Sequence, residues 1–200
     1  MHTTPPPDTL ERLERAEQLK LQGKHPEALE ILEVLLMEDP ENVPALEEIA
    51  DNELSLRHFS RAERAAREAV TICDKSYTGH YILGFIRSHE GNWQASIREL
   101  KAANTLHANN PEILRCLGWA LFHAGQRAQG VVTLERSLNL DHSNPLTLCD
   151  LGVAYLQLKN MSKATDLFRL ALEVDPTSDR ARECMKMMEK LRKVMETTRA

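Results

Sequence analysis

The sequence predicts an all-α fold, a solenoid of stacked helix–turn–helix hairpins, and three observations predict it. First, the 200-residue chain repeats every 34 residues, five times, with no insertion, in registers that start at Thr9, Val43, Tyr77, Pro111 and Pro145. A fixed period of this length marks a helical solenoid. Second, repeat position 8 holds Ala16, Ala50, Gly84, Gly118 and Gly152, and position 20 holds Ala28, Ala62, Ser96, Gly130 and Ala164. A small residue at both places in every repeat lets two helices approach closely. Third, apolar residues recur at spacings of three and four. In the fifth repeat Leu148, Leu151, Gly152 and Tyr155 share one face, as do Ala164, Phe168 and Ala171, and the fourth repeats this with Leu114, Leu117, Gly118 and Leu121. That spacing puts them on one inward stripe per helix.

Residues 1–8 (MHTTPPPD) read as a Pro-rich, flexible tail, with a docking motif as the alternative. The five repeats follow as 9–42, 43–76, 77–110, 111–144 and 145–178, one continuous array. First helices are expected near 10–22, 44–56, 78–90, 112–124 and 146–158, and second helices near 26–38, 60–72, 94–106, 128–140 and 162–174. Gly23, Gly91 and Gly125 stand at position 15, where a helix end wants a left-handed residue, while Arg57 and Lys159 hold that position in repeats 2 and 5. Asp39-Pro40, Asn109-Asn110-Pro111, Ser143-Asn144-Pro145 and Asp175-Pro176 mark the breaks between repeats, because proline stops a helix. Residues 179–197 form one further helix whose Cys184, Met187, Met188, Leu191 and Met195 recur at helical spacing. It is expected to cap repeat 5, within a C-terminal segment of 179–200. An adaptable Met-rich partner surface is the alternative.

This pattern resembles the tetratricopeptide repeat (TPR). Repeat 5 fills its positions with Leu148, Leu151, Gly152, Tyr155, Ala164, Phe168, Ala171 and Pro176, and the likeness extends over residues 9–178. Repeat 1 departs most, with Arg12 and Arg15 at positions 4 and 7. The resemblance implies a right-handed α-solenoid whose first helices line a concave face, with positions 2, 5, 6, 9, 12 and 13 pointing into it. On that frame the groove carries Tyr81, Ile82, Phe85, Arg115, Cys116, Trp119, Phe122, Cys149, Val153 and Leu156, with Leu146 and Asp150 beside them. Its other end is acidic, with Glu14, Glu17, Glu47, Glu48 and Asp51. Large aromatics at positions outside the packing set point to a binding surface. The alternative is lateral packing between neighbouring helices. TPR domains that clamp a chaperone's C-terminal carboxylate carry Lys, Asn and Arg where this chain has Leu13, Glu17, Glu48, Thr78 and Ile82, so a clamp of that kind does not fit.

Composition narrows the function. Net charge is −5, divided as 17 acids and 9 bases over residues 1–76 and 13 acids and 16 bases over 77–200. Neither part carries the basic stripe that nucleic acid needs. Cys73, Cys116, Cys149 and Cys184 form no Cys-x-x-Cys pair, and the start of the chain lacks an apolar run, so a cytoplasmic setting is expected. His89 and His123 share position 13 of adjacent repeats, about 10 Å apart by helix packing. Zinc needs ligands at about 2.0–2.3 Å, so both read as rim histidines. No Gly-rich phosphate loop or nucleophile–base pair is visible, and no catalytic activity, cofactor or metal is expected. The expected function is a protein-interaction scaffold or adaptor that holds a peptide or helix, apolar with a basic flank. Alternatives are a dedicated chaperone for a secreted or membrane client, or a self-assembling structural scaffold.

Overall fold

The computed structural model describes residues 7–199, with side chains described for 8–191. The first six residues of the Pro-rich lead and the side chain of Met195 lie outside the described residues. Eleven helices occupy the described chain: α1 Pro7–Leu21, α2 His25–Glu38, α3 Val43–Ser55, α4 Phe59–Ile72, α5 Tyr77–His89, α6 Trp93–Leu106, α7 Pro111–His123, α8 Arg127–Leu140, α9 Pro145–Gln157, α10 Met161–Val174 and α11 Asp179–Arg199. Most begin one residue earlier than the spacing predicts. No helix among the described residues is long and apolar enough to cross a membrane.

Each hairpin closes by the same device. Gly23, Arg57, Gly91, Gly125 and Lys159 all take positive φ, from 61° to 88°. The following N–H reaches back to the helix in every case: Lys24 to Leu19 O, His58 to Glu53 O, Asn92 to Arg87 O, Gln126 to Leu121 O and Asn160 to Tyr155 O, at 2.8–3.0 Å. These bonds satisfy carbonyls that a helix end leaves open. Arg57 and Lys159 hold this geometry although a β-carbon makes it unfavourable.

The next hairpin starts with a cap the period did not announce. Asn42, Ser76, Asn110 and Asn144 precede α3, α5, α7 and α9, and each side chain accepts a backbone N–H of the first turn. Ser178 does the same for Ala181 at the start of α11. All five occupy repeat position 34, and such caps contribute about 1 kcal/mol each.

The helices gather into two compact units, one ending at Ala108 and the other beginning at Asn109. In the first, Ala16, Leu32, Ala50, Ala66, Ile82 and Ile86 belong to one buried cluster, with α3 packed against both α1 and α5. In the second, α9 packs against α7, α8, α10 and α11. Phe122, Leu134, Leu151 and Ala154 form one core group there, and Ala164, Phe168, Cys184 and Met188 another.

Position 8 is small because position 24 fills the space over it. A β-carbon at Gly84 would stand 2.6 Å from Leu100 Cγ, and one at Gly118 2.8 Å from Leu134 Cγ. Gly130, at position 20, meets backbone instead: its β-carbon would stand 2.6 Å from Phe122 N and 2.8 Å from Gly118 O. Backbone cannot yield as a side chain does. Gly130→Ala is therefore expected to destabilise by about 1–3 kcal/mol through overpacking. That exceeds the gain of about 1 kcal/mol that alanine brings to a helix interior. Urea unfolding measures it, and an unchanged or higher midpoint would contradict the close approach.

Candidate functional site

In the first unit the expected acidic end is partly neutralised from within. Lys20, on α1, donates from Nζ to Glu48 Oε2 and to Asp51 Oδ2 on α3, both at 2.8 Å. Ser76, the cap of α5, donates from Oγ to Glu47 Oε1 at 2.5 Å. Burial pushes the Glu47 carboxyl above the usual carboxylate range, neighbouring Glu48 adds to this, and the Ser76 hydroxyl opposes it. Glu14 and Glu17 remain exposed.

A carboxyl raised by folding favours its neutral form. Its contribution to stability is complete below the unfolded value, about 4.3, and is lost as pH rises through the raised folded value. Glu47→Gln keeps an acceptor for Ser76 and removes the half-buried charge. It is expected to raise the unfolding midpoint at pH 7 and to leave it unchanged near pH 3. A variant equally altered at both pH values would show that titration is not the cause.

Tyr81 and Phe85 lie one turn apart on α5, half-buried, with ring centroids 6.4 Å apart. Ile82, between them, is fully buried in the hairpin core and is not available to a partner. His89 stacks on Phe59 at 4.5 Å. On α5 the first unit therefore presents Tyr81 and Phe85 half-exposed, and Tyr77 39% exposed beside His107, and on α1 and α3 a set of carboxylates that outnumber their one lysine.

The second unit uses up most of its expected groove. Phe122 is 2% exposed and packs with Val131, Leu134, Leu151 and Ala154. Cys116 and Cys149 are buried too. Val153 and Leu156 pack against the group that holds Cys184 and Met188 of α11. Phe122, Cys116 and Cys149 are seam rather than floor, whereas Val153 and Leu156 pack on that group and keep part of their surface. The helix that caps α10 also covers the neighbouring face of α9, which the repeat pattern of one hairpin does not reveal.

Arg115 is likewise structural. It is 7% exposed, and its guanidinium donates to Asp150 Oδ2 on α9 at 2.7 Å and to both carboxylate oxygens of Glu112 at 2.5 and 2.8 Å. Arg180 of α11 bonds the other oxygen of Asp150. It also lies over the Trp119 ring at 5.6 Å, while His123 stacks on that ring at 4.2 Å. Trp119 thus stays half-buried between a cation and an imidazole. Burial pushes the Cys149 thiol up to about 11, and burial also raises Cys116 and Cys184, so these thiols stay protonated. Burial lowers His123, with Asp150 opposing. Among the described residues no three His, Cys, Asp or Glu side chains form a group that could hold a metal ion.

Sequence reasoning missed the Lys20 bridge and the Arg115–Asp150–Arg180 chain. A signal existed: opposite charges at positions 5, 6 and 2 of three successive first helices. Reading it requires knowing that those helices lie side by side.

Residues 147–178 match the family model described as tetratricopeptide repeat. No curated protein matches the chain. Among solved structures, TTC0263, a thermophilic TPR protein of Thermus thermophilus, is similar with a TM-score of 0.71 at 20% identity, over 90% of this chain and 97% of that one. YrrB, a TPR protein with an unusual peptide-binding site, gives 0.63 at 18% identity, over 88% and 90%. Pseudomonas aeruginosa pilF gives 0.72 at 16% identity, over 93% and 85%. The chain has the all-α fold of a tandem TPR protein.

Proposed function

We propose that the protein is an interaction scaffold that binds a segment of another protein on the first-helix face of its first unit. The observation that carries this reading is the pair Tyr81 and Phe85. They are large, half-exposed aromatics in the same unit as the exposed carboxylates of Glu14 and Glu17. Aromatic anchors beside charge of one sign suit an apolar segment flanked by Lys or Arg. Similarity in fold to a TPR protein with a peptide-binding site supports the same class of activity. Burying one such anchor is worth about 1.5–3 kcal/mol, so two anchors contribute about 3–6 kcal/mol before ordering costs, and micromolar binding, at about 8 kcal/mol, requires the charged flank to add to them.

Affinity capture with wild type, Phe85→Ala and Trp119→Ala chains tests this. Loss of the captured partner with Phe85→Ala, at unchanged helical content, supports the reading. Loss with Trp119→Ala alone would move the site to the second unit, and retention by both variants would overturn it.

A further inference from the structure

Two helices carry outward stripes that the described residues do not cover, and the stripes match each other. On α2, Glu27, Glu30, Val34 and Met37 follow the spacing of one helix face. Val34 is 41% and Met37 75% exposed. The same repeat position as Met37 holds Thr71, Thr105, Asn139 and Glu173 in the other hairpins, so repeat 1 alone places a large apolar residue there. Helix α2 has four carboxylates and no Lys or Arg. Glu33 and Glu38 are paired with Arg61 and Arg12, which leaves Glu27 and Glu30 facing outward.

On α11 the exposed stripe is Lys186, Met187, Lys190 and Leu191, with Glu183 at its N-terminal end. Met187 is 50% and Leu191 39% exposed, although Cys184 and Met188 of the same helix are buried against α9 and α10. Over its length α11 holds seven basic and four acidic residues. One helix thus offers two apolar side chains flanked by carboxylates, and the other two apolar side chains flanked by ammonium groups.

We infer that α11 of one copy docks on α2 of a second copy, head to tail. The apolar pairs meet at the centre, and Lys186 and Lys190 face Glu27 and Glu30. The two patches differ, so the contact is heterologous, and a chain of copies grows with concentration unless the rotation closes a ring. Only a few side chains are buried, so the association is weak and salt-sensitive. This contact does not use the partner face proposed above, and Phe85→Ala leaves it intact.

Sedimentation equilibrium over a dilution series tests it. Wild type is expected to show a weight-average mass that rises with concentration and falls in high salt. The variants Lys186→Glu/Lys190→Glu and Glu27→Lys/Glu30→Lys should each associate about tenfold more weakly or worse, because like charges then face each other. An equimolar mixture of the two should recover association, since each supplies the complement the other lacks. The substituted side chains are exposed, and circular dichroism verifies that both variants keep their helices. A wild type monomeric throughout the series would overturn the inference, as would single variants that associate like wild type or a mixture that recovers nothing.

Discussion

Asp150→Ala is expected to destabilise the second unit by about 3–5 kcal/mol, the usual consequence of removing one partner from a buried ion pair. Asp150 is 1% exposed and receives Arg115 on one oxygen and Arg180 on the other. Without it, Arg115 keeps Glu112 and the Cys116 sulfur, and a buried guanidinium loses the carboxylate that reaches it from α9. Arg180 loses the contact that links α11 to α9. Replacing both ends, as Arg115→Leu/Asp150→Leu, should restore part of the loss, because the charges then left without these partners, Glu112 and Arg180, are accessible to solvent rather than buried. Urea unfolding followed by Trp119 fluorescence in a Trp93→Phe background reads the unit directly. A single substitution that loses under about 1 kcal/mol, or a double variant worse than the single, would show that the pair does not hold α7, α9 and α11 together.

Phe168→Ala should have an effect of similar size, about 3–5 kcal/mol, from lost transfer energy and the cavity left behind. Phe168 is fully buried and packs with Ala164, Cys184 and Met188, and its ring sits where a β-carbon on Gly152 would be. The loss should therefore extend to α11, seen as faster amide exchange along residues 180–190. Gly152→Ala is expected to destabilise the wild-type chain and to be nearly harmless in the Phe168→Ala background, where the ring no longer occupies the space. Additive effects of the two substitutions would contradict the interlock between positions 8 and 24.

The residues that made the fold legible are those whose role is settled within one hairpin. Gly84 and Leu100, or Gly118 and Leu134, announce a close helix pair because both members recur at fixed places in a single 34-residue unit. Gly23, Gly91 and Gly125 announce the turn, and Arg57 and Lys159 follow the same geometry because the flanking helices impose it. The candidate site was legible only in part. Tyr81, Phe85 and Trp119 retain exposed surface, whereas Ile82, Phe122, Cys116 and Cys149 do not. A position counted as groove-facing in an average repeat becomes seam when the next helix carries a side chain long enough to lie on it.

The same distinction separates Glu14 and Glu17 from Glu48 and Asp51. All are carboxylates at groove positions, but Lys20 reaches two of them from the neighbouring helix and leaves the others to solvent. By itself the sequence determined the helices, their turns and the pairing inside each hairpin, since these depend on spacing and on residues within one turn of each other. Only the tertiary structure decided which charges are spent on one another and which aromatic rings stay open. Those outcomes rest on contacts between side chains 28 to 35 residues apart, whose distances no local pattern encodes.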